Sequence, residues 1–224
     1  MTRNQEKQAH PRWLEIAKAR IDNGLSRLGK SLDASHPVDR ALMLLTARMV
    51  SVADAAALLC LRDHAAEAPP LSVALIGFAA EMREIARDSD EARARRFLDG
   101  EPVVLCGDPR WRAEFDWRLK SLGFQEELRD ALRAWQIAFV RGGAGGLPWS
   151  HLFDARPAAD AAERDWLEAA AISMGHALKA LETRWPKAFP GAAEDLWSEI
   201  VRGRPQARPA FRQAGEQSRK ENSP

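Results

Sequence analysis

Five histidines decide which metal or acid–base chemistry this chain can carry. They are His10, His36, His64, His151 and His176. A helical metal site needs a motif such as HExxH or ExxH, which places two ligands one turn apart. Neither motif occurs, no two histidines have ligand spacing, and the two cysteines form no CxxC. There is no GxSxG, and no GK[ST] follows the glycine run 142–146, which we interpret as a hinge. We therefore predict no metal and no cofactor.

The segment that follows the hinge gathers most of the polar chemistry. It contains Ser150, His151, Asp154 and Arg156, interleaved with two aromatic residues. Loops held by a rigid scaffold often carry function, so these four are the candidate catalytic residues. The alternative is that the aromatic residues anchor the loop to the end of the bundle. The sequence leaves both interpretations open.

A second candidate is a pair of opposite charges, Arg48 and Glu81. Each lies at the edge of an apolar stripe on neighbouring predicted helices. If those helices pack antiparallel, the two charges meet at the boundary of the core. A buried charge without a partner is costly, so we predict a buried ion pair, with a structural or an active-site role.

These residues are positioned by an all-α bundle. Apolar residues recur at three- and four-residue spacing and predict helices over 11–28, 37–64, 71–87, 91–99, 109–122, 125–141, 160–185 and 192–201. Ser35 is the expected cap of the second helix, and Gly24 is expected to weaken or end the first. In the second helix Leu44, Val50 and Leu58 lie off the main stripe. An apolar circumference favours a position at the centre of the bundle.

Composition and charge limit the class of protein. Of 224 residues, 46% are apolar and 29% charged, which is ordinary for a globular chain. The net charge of +1 provides no overall field for a nucleic acid or an anionic membrane. The charge-free apolar run 71–80 is well short of the roughly 20 residues that span a bilayer. We expect a soluble cytoplasmic protein with a flexible segment 1–8, a bundle over 9–202 and a disordered basic tail over 203–224.

Residues 41–100, which include ALMLLTARMV and ARARRFLDG, resemble a bacterial family of uncharacterised helical proteins allied to HEPN-type bundles. Glu81 matches the family glutamate, Gly77 replaces its arginine, and Ser150 matches the serine of its loop. The family histidine falls on Phe153 or Asp154, whereas His151 is next to the serine. The Arg-x(4–6)-His motif of HEPN ribonucleases occurs only from Arg3 to His10, ahead of the bundle. The resemblance therefore implies the fold and a catalytically silent member.

Three functions remain. The leading one is a non-catalytic helical protein that binds a protein partner or another copy of itself, since exposed aromatic residues are enriched at interfaces. The second is a HEPN-like ribonuclease, or a toxin component of a stress or phage-defence system, that uses His151. The third is weak nucleic-acid contact through the tail, which has five basic and two acidic residues.

Overall fold

The computed structural model describes residues 3–62, 64, 69–100, 111–124, 126, 128–130 and 156–203, and within these ranges it has helices and no strand. The helices are α1 Arg3–Leu28, α2 Pro37–Leu61, α3 Pro69–Arg87, α4 Ala92–Leu98, α5 Trp111–Ser121, α6 Arg156–Arg184 and α7 Ala192–Gly203. A 3-10 turn, Gly29–Ser31, follows α1. The predicted all-α bundle is confirmed.

Helix α6 lies at the centre of the bundle, because it packs against α1, α2, α3 and α7. Between Trp166 and Leu181 all its side chains are buried except Glu168, Ile172 and Lys179. Seven of the 16 residues from 166 to 181 are alanine, glycine or serine, so neighbouring helices can approach α6 closely at these positions. The expectation that the second helix is central is wrong: α2 packs on α1, α3, α4 and α6 with one side and leaves the other in solvent.

Helix α1 differs from its prediction at Pro11, where it was expected to begin, and at Gly24, where it was expected to weaken or end. It begins at Arg3 rather than Pro11, since the preceding residues include good helix formers such as Gln5 and Glu6. It also continues through Gly24. A Cβ at that position would overlap the ring of Phe189, so the glycine permits a close tertiary contact instead of ending the helix.

Helix α2 begins at Pro37 as predicted, but its cap is different. The backbone N–H of Val38 donates to Nδ1 of His36 at 3.3 Å. The Ser35 hydroxyl donates instead to Asp33, at 2.6 Å. His36 therefore takes the capping role that the sequence assigned to Ser35.

Glycine residues end two of the shorter elements. Gly100 follows α4 with φ +81°, and Gly123 follows α5 with φ +70°, both in the left-handed region that favours glycine. Residues 126 and 128–130 are helical, in agreement with the predicted helix over 125–141. Its remainder, the predicted glycine hinge, the segment 101–109 and the tail lie outside the described residues, and the domain boundaries stay predictions.

Candidate functional site

The first described residue of the candidate catalytic segment is Arg156. Ser150, His151 and Asp154 lie outside the described residues. Arg156 is the first residue of α6, and only its backbone is described. The proposed roles of these four residues stay predictions.

The predicted pair of Arg48 and Glu81 does not form. Glu81 is 9% exposed and accepts two hydrogen bonds from Arg93, at 2.6 Å from Nε and 2.5 Å from Nη2. Arg48 is exposed on the far side of α2. Arg93 can reach Glu81 because α4 packs beside α3, a tertiary arrangement that helical periodicity does not reveal. The expectation of a paired glutamate holds, but its partner was wrong.

Asp88 fixes the position of that arginine. Its carboxylate accepts the backbone N–H of Arg93 at 2.7 Å and that of Asp90 at 3.1 Å. These two hydrogen bonds hold the pKa of Asp88 below its ordinary value. The turn between α3 and α4 thus positions the guanidinium over Glu81, and this cluster stabilises the fold.

His176 joins four helices. Nη1 of Arg83 on α3 lies 3.4 Å from Nδ1 of His176 on α6 and also donates to the Ser121 carbonyl of α5 at 3.0 Å. The indole of Trp197 on α7 meets the imidazole edge to face, with centroids 5.2 Å apart. Since a guanidinium can only donate, Nδ1 accepts and the imidazole proton is on Nε2.

Burial, followed by the charge of Arg83, lowers the pKa of His176 to about 4. The ring is therefore neutral at pH 7 and a poor base. The neighbouring hydroxyl, Ser173, donates to the Ala169 carbonyl at 2.8 Å within its own helix. This arrangement packs helices together and offers no activated nucleophile.

A third polar cluster joins the start of α2 to the end of α6. Asp39, 2% exposed, accepts Nε of Arg184 at 2.7 Å and the backbone N–H of Asp33 at 3.1 Å. Nε2 of His36 lies 3.0 Å from a carboxylate oxygen of Glu91. Both acidic groups are occupied in holding helix ends, which is a structural role.

A cleft of about 310 Å³ opens beside that cluster. Its lining residues are Arg27, Leu28, Ser31, Arg184, Trp185, Pro186, Lys187 and Ala188. Arg184 is held by Asp39, and Arg27 and Lys187 are exposed. The cleft offers surface cations without a buried polar group aimed into it. Within the described ranges no three His, Cys, Asp or Glu side chains are grouped so that they could hold a metal ion.

The remaining candidate is a surface. We call it the outer face of α2 and define it as the exposed residues Leu44, Ala47, Arg48, Ser51, Asp54, Ala55, Leu58 and Leu61. The three leucines are 52%, 54% and 64% exposed. Single exposed leucines are normal, but several on one helix face form a patch of the kind used for binding.

The polar residues of the outer face are partly satisfied within the molecule. The Ser51 hydroxyl donates to the Ala47 carbonyl at 3.1 Å, so it does not need a solvent partner. Asp54 forms an ion pair with Lys18 of α1. The outer face therefore combines apolar side chains with few unmet hydrogen bonds.

Helix α2 is also the one helix in the described part of the chain that has the length and apolar composition to cross a membrane. The segment is Pro37–Leu59. An 18-residue window within it has a mean hydropathy of 1.7, and 33% of that window is buried. Core helices of soluble proteins meet the same criterion, so this is weak evidence for membrane insertion.

Comparison with protein-family models, with curated proteins and with solved structures finds no match. Function must therefore be inferred from this chain's own residues.

Sequence reasoning missed the outer face of α2. The off-stripe leucines Leu44 and Leu58 are compatible with a central helix as well as with a contact surface. The seven-residue recurrence of Leu44, Ser51 and Leu58 does not separate the two cases, because Leu42, Met49 and Ala56 on the buried side of the same helix recur with the same spacing.

Proposed function

We propose that this protein is a non-catalytic helical protein that binds a protein partner through the outer face of α2. One observation carries the proposal: Leu44, Leu58 and Leu61 are each more than half exposed on the same side of one helix. Fully burying a leucine contributes about 1.5–3 kcal/mol, so covering half of each would contribute about 1 kcal/mol per leucine. A bound partner would gain this free energy by burying the leucines, which stay exposed in the bundle alone.

The polar clusters support the same proposal. Glu81, Asp39 and His176 are each held by neighbouring helices, and their contacts account for their burial without a substrate. The buried titratable groups in the described ranges thus have structural roles.

The proposal is tested by photo-crosslinking in cells. A photoreactive amino acid is introduced at Leu44 or at Leu58, and Val201 of α7, which is 65% exposed, is the matched control. We expect discrete protein adducts at both α2 positions, and their loss when the other leucine is changed to lysine. Adducts that are equally abundant at Val201, or absent from both α2 positions, would contradict binding at this face.

The alternative proposal is a HEPN-like ribonuclease or toxin component. The polar loop residues Ser150, His151, Asp154 and Arg156 favour it, and the resemblance over 41–100 supplies the HEPN-like fold without the family's catalytic motif. It predicts that His151→Ala abolishes RNA cleavage or growth toxicity and leaves the unfolding temperature unchanged. Retention of cleavage by this variant would exclude the role of His151.

Nucleic-acid contact through the tail is a separate proposal, based on its five basic and two acidic residues. It predicts RNA binding that weakens steeply with salt, because counterions are released when phosphates are neutralised. Binding should disappear when the chain stops at Arg202. Unchanged binding by that shortened chain would remove the tail from consideration.

A further inference from the structure

We infer that the partner is a second copy of this chain, and that two α2 helices pair antiparallel about a two-fold axis at Ser51. This inference rests on the proposed function, because it names the occupant of the same face. The outer face of α2 is self-complementary in size and in charge about that residue, which is the property an interface between identical subunits requires.

The spacing of the outer face is symmetric about Ser51. Leu44 and Leu58 are each seven residues from it, and Ala47 and Ala55 are each four residues from it. Positions three, four and seven residues apart lie on one side of a helix. When two such helices run antiparallel, Leu44 of one copy faces Leu58 of the other, and Ala47 faces Ala55.

The size of the side chains fits this pairing. The middle of the face has Ala47, Ser51 and Ala55, which allow two helix backbones to approach closely. The leucines stand on either side of this shallow centre and can pack over it. The Ser51 hydroxyl already donates to the Ala47 carbonyl, so burying it at the axis leaves no donor unpaired.

Charge is complementary in the same register. Arg48 and Asp54 are each three residues from Ser51, so Arg48 of each copy faces Asp54 of the other. One carboxylate oxygen of Asp54 accepts a hydrogen bond from Lys18, so the second oxygen is available to a guanidinium. Arg40 and Arg62 face each other only at the exposed ends of the pairing, where water and salt screen their repulsion.

These charges also decide between a protein and a lipid surface. Arg48 and Asp54 lie in the middle of the outer face, and a charge in a hydrocarbon core costs several kcal/mol. In a protein interface the same two residues have partners. The other side of α2 is packed on α3, so lipid cannot surround the helix in this fold.

The expected complex is weak. A single pair of helices buries less than the roughly 1,200–2,000 Å² of a standard stable interface. We therefore expect a dimer with a dissociation constant in the micromolar range, detected as a rise in mass with concentration by light scattering or analytical ultracentrifugation.

Disulfide trapping tests the register. Cysteines are placed in the full chain after both native cysteines are changed to serine. Ser51→Cys lies on the axis and should crosslink to itself. Leu44→Cys alone should not, because two copies of this position lie about 21 Å apart along the antiparallel pair, far beyond the roughly 7 Å limit for a disulfide. Leu58→Cys alone should not crosslink either, whereas a mixture of the Leu44→Cys and Leu58→Cys chains should.

Charge reversal tests the same register in the chain with its native cysteines. Arg48→Asp and Asp54→Arg should each weaken the dimer roughly tenfold, since two attractive pairs become repulsive. The double variant should recover most of the native affinity. Circular dichroism and thermal unfolding of each variant check that the fold is retained.

The outcomes separate this inference from the proposed function. Self-crosslinking of Ser51→Cys, Leu44→Cys and Leu58→Cys alike would indicate parallel pairing and overturn the inference. A protein that stays monomeric at every concentration would also overturn the inference, and so would a monomer that floats with anionic phosphatidylglycerol vesicles. If the protein is monomeric but Leu44 and Leu58 form adducts with a different protein, the inference fails and the proposed function is upheld. If the protein is monomeric and these adducts are absent, both are overturned.

Discussion

Acid should destabilise this bundle through one histidine, His176. Its imidazole is 8% exposed and lies against Arg83 and the indole of Trp197. Arg87 adds a second positive charge that opposes its protonation. The perturbation is a change of pH from 7 to 4, applied to the native chain and to His176→Asn, whose amide oxygen can accept from Arg83 without titrating.

The magnitude follows from the difference in pKa between the two states of the chain. The pKa of His176 is about 4 in the folded protein and 6.5 when exposed, so the unfolded chain binds the proton more readily. The stabilisation is complete above pH 6.5 and is lost as the pH falls towards 4. One pKa unit corresponds to 1.36 kcal/mol, so the loss is about 3 kcal/mol over this range.

The assay is urea unfolding followed by circular dichroism at several pH values between 7 and 4. Carboxylates with a lowered pKa, such as Asp88, contribute to acid sensitivity in both chains, so their effect cancels in the difference. We expect the native chain to lose about 3 kcal/mol more than His176→Asn. A difference that does not change with pH, or an NMR titration of the His176 ring near 6.5, would refute the reasoning.

Two further predictions concern packing and pairing. Gly24→Ala should lower the free energy of unfolding by about 1–2 kcal/mol, because overpacking against Phe189 outweighs the gain in helix propensity. In a Phe189→Ala background the same change should raise the free energy of unfolding, and a decrease there would contradict the contact. Arg93→Ala should lower the free energy of unfolding by about 1–3 kcal/mol, because it leaves Glu81 without its partner. The exposed control Arg95→Ala should lower it by less than about 1 kcal/mol, and equal losses would contradict the pairing.

Sequence predicts the helices well where the signals are local. Pro37 starts α2, Gly123 follows the end of α5, and Ala192 starts α7 as expected. The boundaries at Pro37 and Gly123 depend on residues whose own backbone chemistry favours or forbids a helix. Such a signal does not require knowledge of any distant contact.

The sequence-based predictions are wrong where a contact with a residue far along the chain determines the structure. Gly24 resembles a helix breaker until Phe189 is known to pack on it. Glu81 was expected to have a partner because it lies at the edge of the core, and periodicity suggested Arg48 on the nearest long helix. The bidentate partner is Arg93, on a helix of only seven residues whose placement depends on the turn at Asp88.

The misplaced centre of the bundle leads back to function. Helix α2 is apolar on more of its circumference than its intramolecular contacts require, and from sequence this favours burial on all sides. Helix α6 takes that central place, because its alanines and glycine admit neighbours that the leucines of α2 would keep apart. The apolar surface left over on α2 is arranged every seven residues about Ser51. We propose that another molecule covers this side, because Leu44 and Leu58 are each more than half exposed on it and no helix in the described ranges buries them.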